Sequence, residues 1–208
     1  MSRPLYWLLW ATWRWTTLIL LTTWFTNGFV YYSVVISYIR VTNIIFNFDV
    51  RGAWGPPTLV LAYLLVETLG RRSSVALALS ATGLMAILVS FLAHLPDLMT
   101  VLSLVGLSSI TVASAQLPLL TLEQYPTPLR APSISCGLLA GQLGALAAPF
   151  VRKQAMLTGG EYGPLFVLGV TSLTCGWLLL ALPETKFEGL AAHERGDLSG
   201  LTVVSLGE

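Results

Sequence analysis

Long apolar runs, each near the length of a membrane crossing, alternate along this chain with short junctions that hold most of its charge. A spanning helix needs about 20 apolar residues. The runs from Trp15 to Ile39, Ser74 to His94, Leu98 to Leu122, Ala131 to Val151 and Tyr162 to Leu182 meet that length. A sixth stretch, Pro57 to Leu69, offers little more than a dozen apolar residues. At about 1.5 Å per residue that is too short for a hydrocarbon core of about 30 Å. Extending it backwards crosses Arg51 and Asp49, and Gly52, Gly55, Pro56 and Pro57 oppose a straight helix. The pattern predicts an all-α membrane protein of six transmembrane helices, the second weak. It divides the chain into an interfacial N-terminal segment (1–14), a transmembrane domain (15–182) and a polar tail (183–208).

Basic residues orient this arrangement. With six spans and both ends inside, Arg3, Arg14, Arg71, Arg72, Arg130, Lys186 and Arg195 face inward, while Arg40, Arg51, Arg152 and Lys153 face outward. If the weak segment does not cross, every later junction changes side and the majority falls outside. Positive charge favours the cytoplasmic side, so six spans with cytoplasmic termini is the expected topology.

Composition narrows the class further. The chain is 55% hydrophobic and 10% charged, far below the charge a soluble domain needs to solvate its surface. A net charge of +1 gives no reason to expect nucleic acid. Cys136 and Cys175 both lie in apolar runs without metal-ligand company, and read as small buried residues. Arg3 precedes an apolar stretch, but Arg14 interrupts it and no small-residue cleavage site follows, which argues against a signal peptide. Trp7, Trp10, Trp13 and Trp15 instead suit a membrane interface. No Ser-His-Asp grouping is visible: His94 stands at a helix end and His193 in the tail. Neither an enzyme, a metal site nor a cofactor is expected.

Two junctions carry more than charge. "ETLGRR" places Glu67, Arg71 and Arg72 together, and "LEQYPTPLR" places Glu123 and Arg130 on either side of two prolines. Under six spans both lie inside. Snorkelling at a membrane surface would account for either one alone. These residues resemble the major facilitator superfamily of transporters. "ETLGRR" is similar to its acidic-x-x-Gly-Arg-Arg loop, with Glu67 where aspartate is usual. "EQYPTPLR" resembles the E-x-Y-P-T-x-x-R junction of its organic ion and sugar branches, and "LPETK", with Glu184, their Pro-Glu-Thr ending. "NGFVYYSVVIS" and "GQLGALAAPFV" resemble the seventh and eleventh spans of the organic cation, anion and carnitine transporters, the solute carrier 22-like group. The resemblance runs from about Arg14 to Phe187 and covers the second six-helix half of such a transporter. "RVTNIIFNFDVRGAWG" departs from the family's eighth span.

The resemblance implies transport of small organic ions or zwitterions across the bilayer, in company with a complementary half, a second copy or a full-length relative. It implies a plasma-membrane location in preference to an intracellular one. Glu67, Arg71, Arg72, Glu123, Arg130 and Glu184 would form charge clusters that hold an inner gate. A contrasting reading is a non-transporting membrane protein that binds or regulates full-length relatives.

Candidate solute contacts come from helical periodicity. In the first span Thr16, Thr23, Asn27, Tyr31 and Tyr38 fall within an arc of about 80°. Such a stripe should face protein or a water-filled cavity rather than lipid. Hydrogen bonding between helices would serve Thr and Asn equally well, while the Tyr31 ring could stack on an organic ion. In the fifth span Gly137, Gly141, Gly144 and Ala148 form a close-packing stripe. Ser135 and Gln142 lie on roughly the opposite side. Gln142 is neutral where, by the resemblance, cation carriers often hold an acid and anion carriers a base. The spans contain no Lys, no Asp and no deeply placed Glu, which argues against a proton relay of intramembrane carboxylates in this unit.

Overall fold

A computed structural model describes residues 3–41, 44–92, 96–125, 129–160 and 163–181. Among them six helices follow one another: α1 (Arg3–Val41), α2 (Ile44–Leu69), α3 (Arg71–Phe91), α4 (Pro96–Gln124), α5 (Arg130–Gly159) and α6 (Gly163–Leu179). Glu184 and the segment 183–208 lie outside the described residues. So do the side chains of Trp7, Trp10 and Trp13. No strand occurs among the described residues, and the chain is an all-α, multi-pass membrane protein.

Among the described residues four helical stretches are long and apolar enough to cross a membrane: Arg14–Ile36, Arg71–Phe91, Leu98–Gln124 and Arg130–Gly159. Gly55–Leu69 and Gly163–Leu179 are shorter apolar helices. The second differs from the 21-residue run read from the pattern, because the chain tightens into a turn at Leu180 and Ala181, whose amides bond the Trp177 and Leu178 carbonyls. The weak second segment differs the other way. Helix α2 continues through Pro56 and Pro57 for 26 residues, a length of about 39 Å. Two adjacent prolines forfeit two backbone bonds, but the apolar turns after them dock on the bundle. Ala62 is 5% exposed, and its carbonyl accepts a bond from Gln116 Nε2 of α4 at 2.7 Å.

Gly70 separates α2 from α3 with φ 84°, and Gly160 ends α5 with φ 70°. Both conformations are open to glycine and strained for side chains. Chain reversals of this kind set consecutive helices antiparallel.

Two close helix pairs organise the packing, α1 with α5 and α3 with α6. The small-residue stripe of α5 faces α1. A Cβ on Gly144 would collide with the Phe25 carbonyl, and one on Gly28 with the Gly141 carbonyl. A Cβ on Gly137 would stand 2.6 Å from the Trp24 indole nitrogen. These glycines let backbone meet backbone, a contact that gains dispersion where no water is available to drive association. Across α3 and α6, Gly83 and Gly169 play the same part, and Ser172 Oγ donates to the Leu79 carbonyl at 2.7 Å. Helix α4 lies against α1, α2 and α3. Leu79, Ile110, Leu117, Leu168 and Leu179 fill the interior.

Candidate functional site

Helices α1, α4 and α5 enclose an open-sided cleft of about 400 Å³. Asn27 and Tyr31 line it from α1, Thr111 and Ser114 from α4, and Gln142 from α5, with Trp24, Tyr32 and Leu138 completing the apolar part. None of the lining residues is charged. The cleft exists because α5 meets α1 through glycine along one line, leaving the bulkier residues to diverge on either side of it.

Asn27 is 8% exposed and tied to α4. Its Nδ2 donates to Ser114 Oγ at 3.1 Å, and Ser114 Oγ lies 2.8 Å from the Ile110 carbonyl. Within the polar stripe of α1, Asn27 both bonds a neighbouring helix and borders the cleft, Tyr31 borders it, and Thr23 Oγ1 returns to the Ile19 carbonyl of its own helix at 2.7 Å, while the Tyr38 side chain lies outside the described residues. Tyr31 is half-buried and stands edge-on to Tyr32, ring centres 5.8 Å apart at 74°. Gln142 is exposed and makes no hydrogen bond among the described residues. Ser135 is not brought to the cleft. It is exposed near the start of α5, its hydroxyl returned to the Ala131 carbonyl at 3.0 Å.

Beneath the cleft, Trp24 donates its indole N–H to Thr121 Oγ1 at 3.0 Å. Farther along the same seam, Thr17 Oγ1 and the Tyr125 hydroxyl are 2.7 Å apart. Burial pushes the Tyr125 phenol above its ordinary pKa, so at neutral pH it keeps the proton that either oxygen can use. Thr111, Ser114 and Thr121 went unremarked in the sequence. They fall within about 80° on a helical projection, the same signal that marked α1.

The charged junctions meet at one end of the bundle. Arg71 at the start of α3 forms an ion pair with Glu123 at the end of α4, and both side chains are partly exposed. Glu67 accepts a bond from the Tyr63 hydroxyl one turn earlier in α2. Arg72 is partly buried beside Arg71. Arg130 Nε bonds the Tyr125 carbonyl at 3.2 Å, which bridges the α4–α5 junction through backbone. Thus Arg71 and Glu123 come into contact, and Arg130 reaches the Tyr125 carbonyl beside them. No group of three metal-ligating side chains occurs among the described residues.

Known proteins share sequence with most of the chain. The chain is 33% identical over 180 residues to solute carrier family 22 member 3 of Rattus norvegicus, a match covering 86% of the chain. It is 29% identical over 175 residues to solute carrier family 22 member 12 of Homo sapiens, covering 83%. The chain is a solute carrier 22 relative. A third similar protein is the organic cation transporter protein of Drosophila melanogaster, 28% identical over 173 residues and 81% of the chain. These matches span 32%, 31% and 31% of the respective relatives, so this solute carrier 22 relative corresponds to about a third of their length. No family model matches the chain.

Proposed function

We propose that this chain forms one wall of a carrier for small organic ions or zwitterions, and that the α1–α4–α5 cleft is where the solute is held. The observation that carries the reading is the convergence of Asn27, Tyr31 and Gln142 on one uncharged cleft of about 400 Å³, beside the similarity to solute carrier 22 proteins. Amides supply hydrogen bonds of either sense and the tyrosine supplies a ring face. Because the cleft is open-sided, a complementary helical unit on the same or another polypeptide would close it. In this reading residues 15–182 form the transmembrane unit, and both termini lie on the cytoplasmic side of the plasma membrane. The Arg71–Glu123 pair, with Glu67, Arg72, Arg130 and Glu184 around it, biases an inner gate. Such a pair contributes at most a few kcal/mol, enough to shift a two-state element. The same open face also supports a second role, binding to a full-length relative without transport.

The test is uptake of matched organic cations and anions by cells with equal surface amounts of the wild-type chain, Gln142→Asp and Gln142→Arg. A charge in a partly dry cleft should shift relative affinity by roughly tenfold. Opposite shifts support the cleft. Parallel losses, or unchanged selectivity, remove it as the solute site. Uptake no greater than in untransfected cells, with the chain recovered bound to a full-length relative, selects the second role.

A further inference from the structure

The helices stand in two rows. Helices α5, α1, α4 and α2 lie side by side in that order, with α6 packed behind α5 and α1, and α3 behind α4 and α2. The cleft opens on the uncovered front of the longer row, where α1, α4 and α5 supply its wall. On a helical projection Ala131, Ser135, Gln142, Ala145 and Pro149 of α5 fall within about 80°, on the side where Leu138 and Gln142 line the cleft. All five are exposed or partly so. The stripe beside them, Leu139, Leu143, Leu146 and Phe150, is exposed and bulky, as suits contact with lipid. Small and polar residues left exposed next to it suit the close approach of another helix. At the far end of the row, α2 carries Tyr63 and Glu67 on the face opposite Leu65, which packs into the core. With Ala62 docked on α4 and α3 behind, that face is also the front. Tyr63 is 61% exposed, and its hydroxyl donates to Glu67.

Two copies inserted in the same sense can close on each other through a two-fold axis along the membrane normal. That operation reverses the row, so α2 of one copy meets α5 of the other. The depths agree. Arg71 at the α2–α3 junction pairs with Glu123 beside the α4–α5 junction, so the end of α2 and the start of α5 lie at one level. The charges agree as well. Helix α5 has no acidic residue in its first turn and no side chain capping its amides, and it begins with the exposed Arg130. Such a terminus attracts a carboxylate, and Glu67 lies two residues from the end of α2. We propose that a second copy of this chain closes the open front, with Tyr63 and Glu67 of each copy seated on Ala131 and Ser135 of the other. The inference rests on the reading of the cleft as one wall of a carrier, and it names the complementary unit. The two clefts then face each other across the axis.

The experiment uses differently tagged copies of the whole chain in lipid vesicles, with Cys136→Ser in both and Cys175 left buried. One copy carries Tyr63→Cys and the other Ser135→Cys. Oxidation should link the two tags in clear excess over a pairing of Tyr63→Cys with Leu139→Cys. Ser135→Trp fills the seat and should weaken association of fluorescently labelled copies about tenfold, while Leu139→Trp leaves it unchanged. Should the cysteine variants not fold, the two tryptophan variants carry the test in the otherwise native chain. A monomeric wild-type chain overturns the inference and leaves the cleft reading standing, with a different polypeptide as its complement. Equal linking at 135 and 139, or equal effects of the two tryptophans, also overturns it, since chance collision behaves so. Association that meets both expectations in a chain whose selectivity ignores charge at Gln142 upholds the dimer and removes only the solute reading.

Discussion

Gly144→Ala adds one methyl group where α5 meets α1. The new Cβ would collide with the Phe25 carbonyl and stand 3.0 Å from the Phe29 amide nitrogen. Both atoms are helix backbone, so no rotamer change relieves the contact and the helices must separate. Overpacking costs about 1–3 kcal/mol, and a clash with backbone belongs at the upper end. Alanine returns up to about 1 kcal/mol through helix propensity. The net expectation is destabilisation of about 2 kcal/mol. Gly159→Ala is the control. It lies at the end of the same helix with nothing within 4 Å of its Cβ, so it gains propensity without a clash and should be neutral or more stable by up to about 1 kcal/mol. Reversible unfolding in mixed micelles, with SDS fraction as the variable, reads both. Gly28→Ala meets Gly141 on the same interface, so Gly28→Ala with Gly144→Ala should cost less than the sum of the two, because the first separation makes room for the second methyl. A Gly144→Ala variant within about 0.5 kcal/mol of wild type would refute the backbone-contact account of this interface.

Three further outcomes are expected. Arg71→Glu and Glu123→Arg should each lower stability by about 1 kcal/mol, and the double exchange should recover most of it, as befits a partly exposed pair; a double variant no better than the singles would exclude a direct pairing. Thr121→Val removes the acceptor of the Trp24 indole N–H and should cost about 1 kcal/mol in the same unfolding measurement. Trp24→Phe should abolish most of that cost, and persistence of the full cost would mean Thr121 acts through another contact. A reporter fused after Glu208 should read as cytoplasmic; an extracellular signal would mean that α2 does not cross.

Helices of this length and apolarity declare themselves in sequence, and so did the face on which α5 packs. A stripe such as Gly137, Gly141 and Gly144 has no other use in lipid than close approach. Asn27, Tyr31 and Gln142 were legible as cleft candidates from periodicity, since a polar group in a span needs a wet or bonded neighbour. Ser135 was misplaced because seven residues of helix also carry it about 10 Å along the axis from Gln142, so sharing a side does not mean sharing a site. Ser114 was overlooked because serine in a helix ordinarily satisfies itself on the preceding turn, as this one does; its contact with Asn27 appears only when α1 is brought opposite. The second segment was legible as a short apolar run, and Gly55–Leu69 is one of the shorter apolar helices; that α2 runs on through Pro56 and Pro57 was not, because proline rules describe local cost, whereas the dock of Ala62 against Gln116 is tertiary.

The seam between α1 and α4 has a mechanical consequence. On its other side α1 meets α5 backbone to backbone. Toward α4 it is stitched by three side-chain contacts, Thr17 with Tyr125, Trp24 with Thr121, and Asn27 with Ser114. A hydrogen bond of this sort is firm in a dry interior and worth much less once water can compete for its partners. Of the three, only the Asn27–Ser114 contact has both partners on the cleft wall, so it is the one that water in the cleft would weaken first. The contacts between α1 and α4 are thus the hydration-sensitive ones, firm where the seam is dry and weaker wherever water reaches them, whereas the α1–α5 contact has no such dependence.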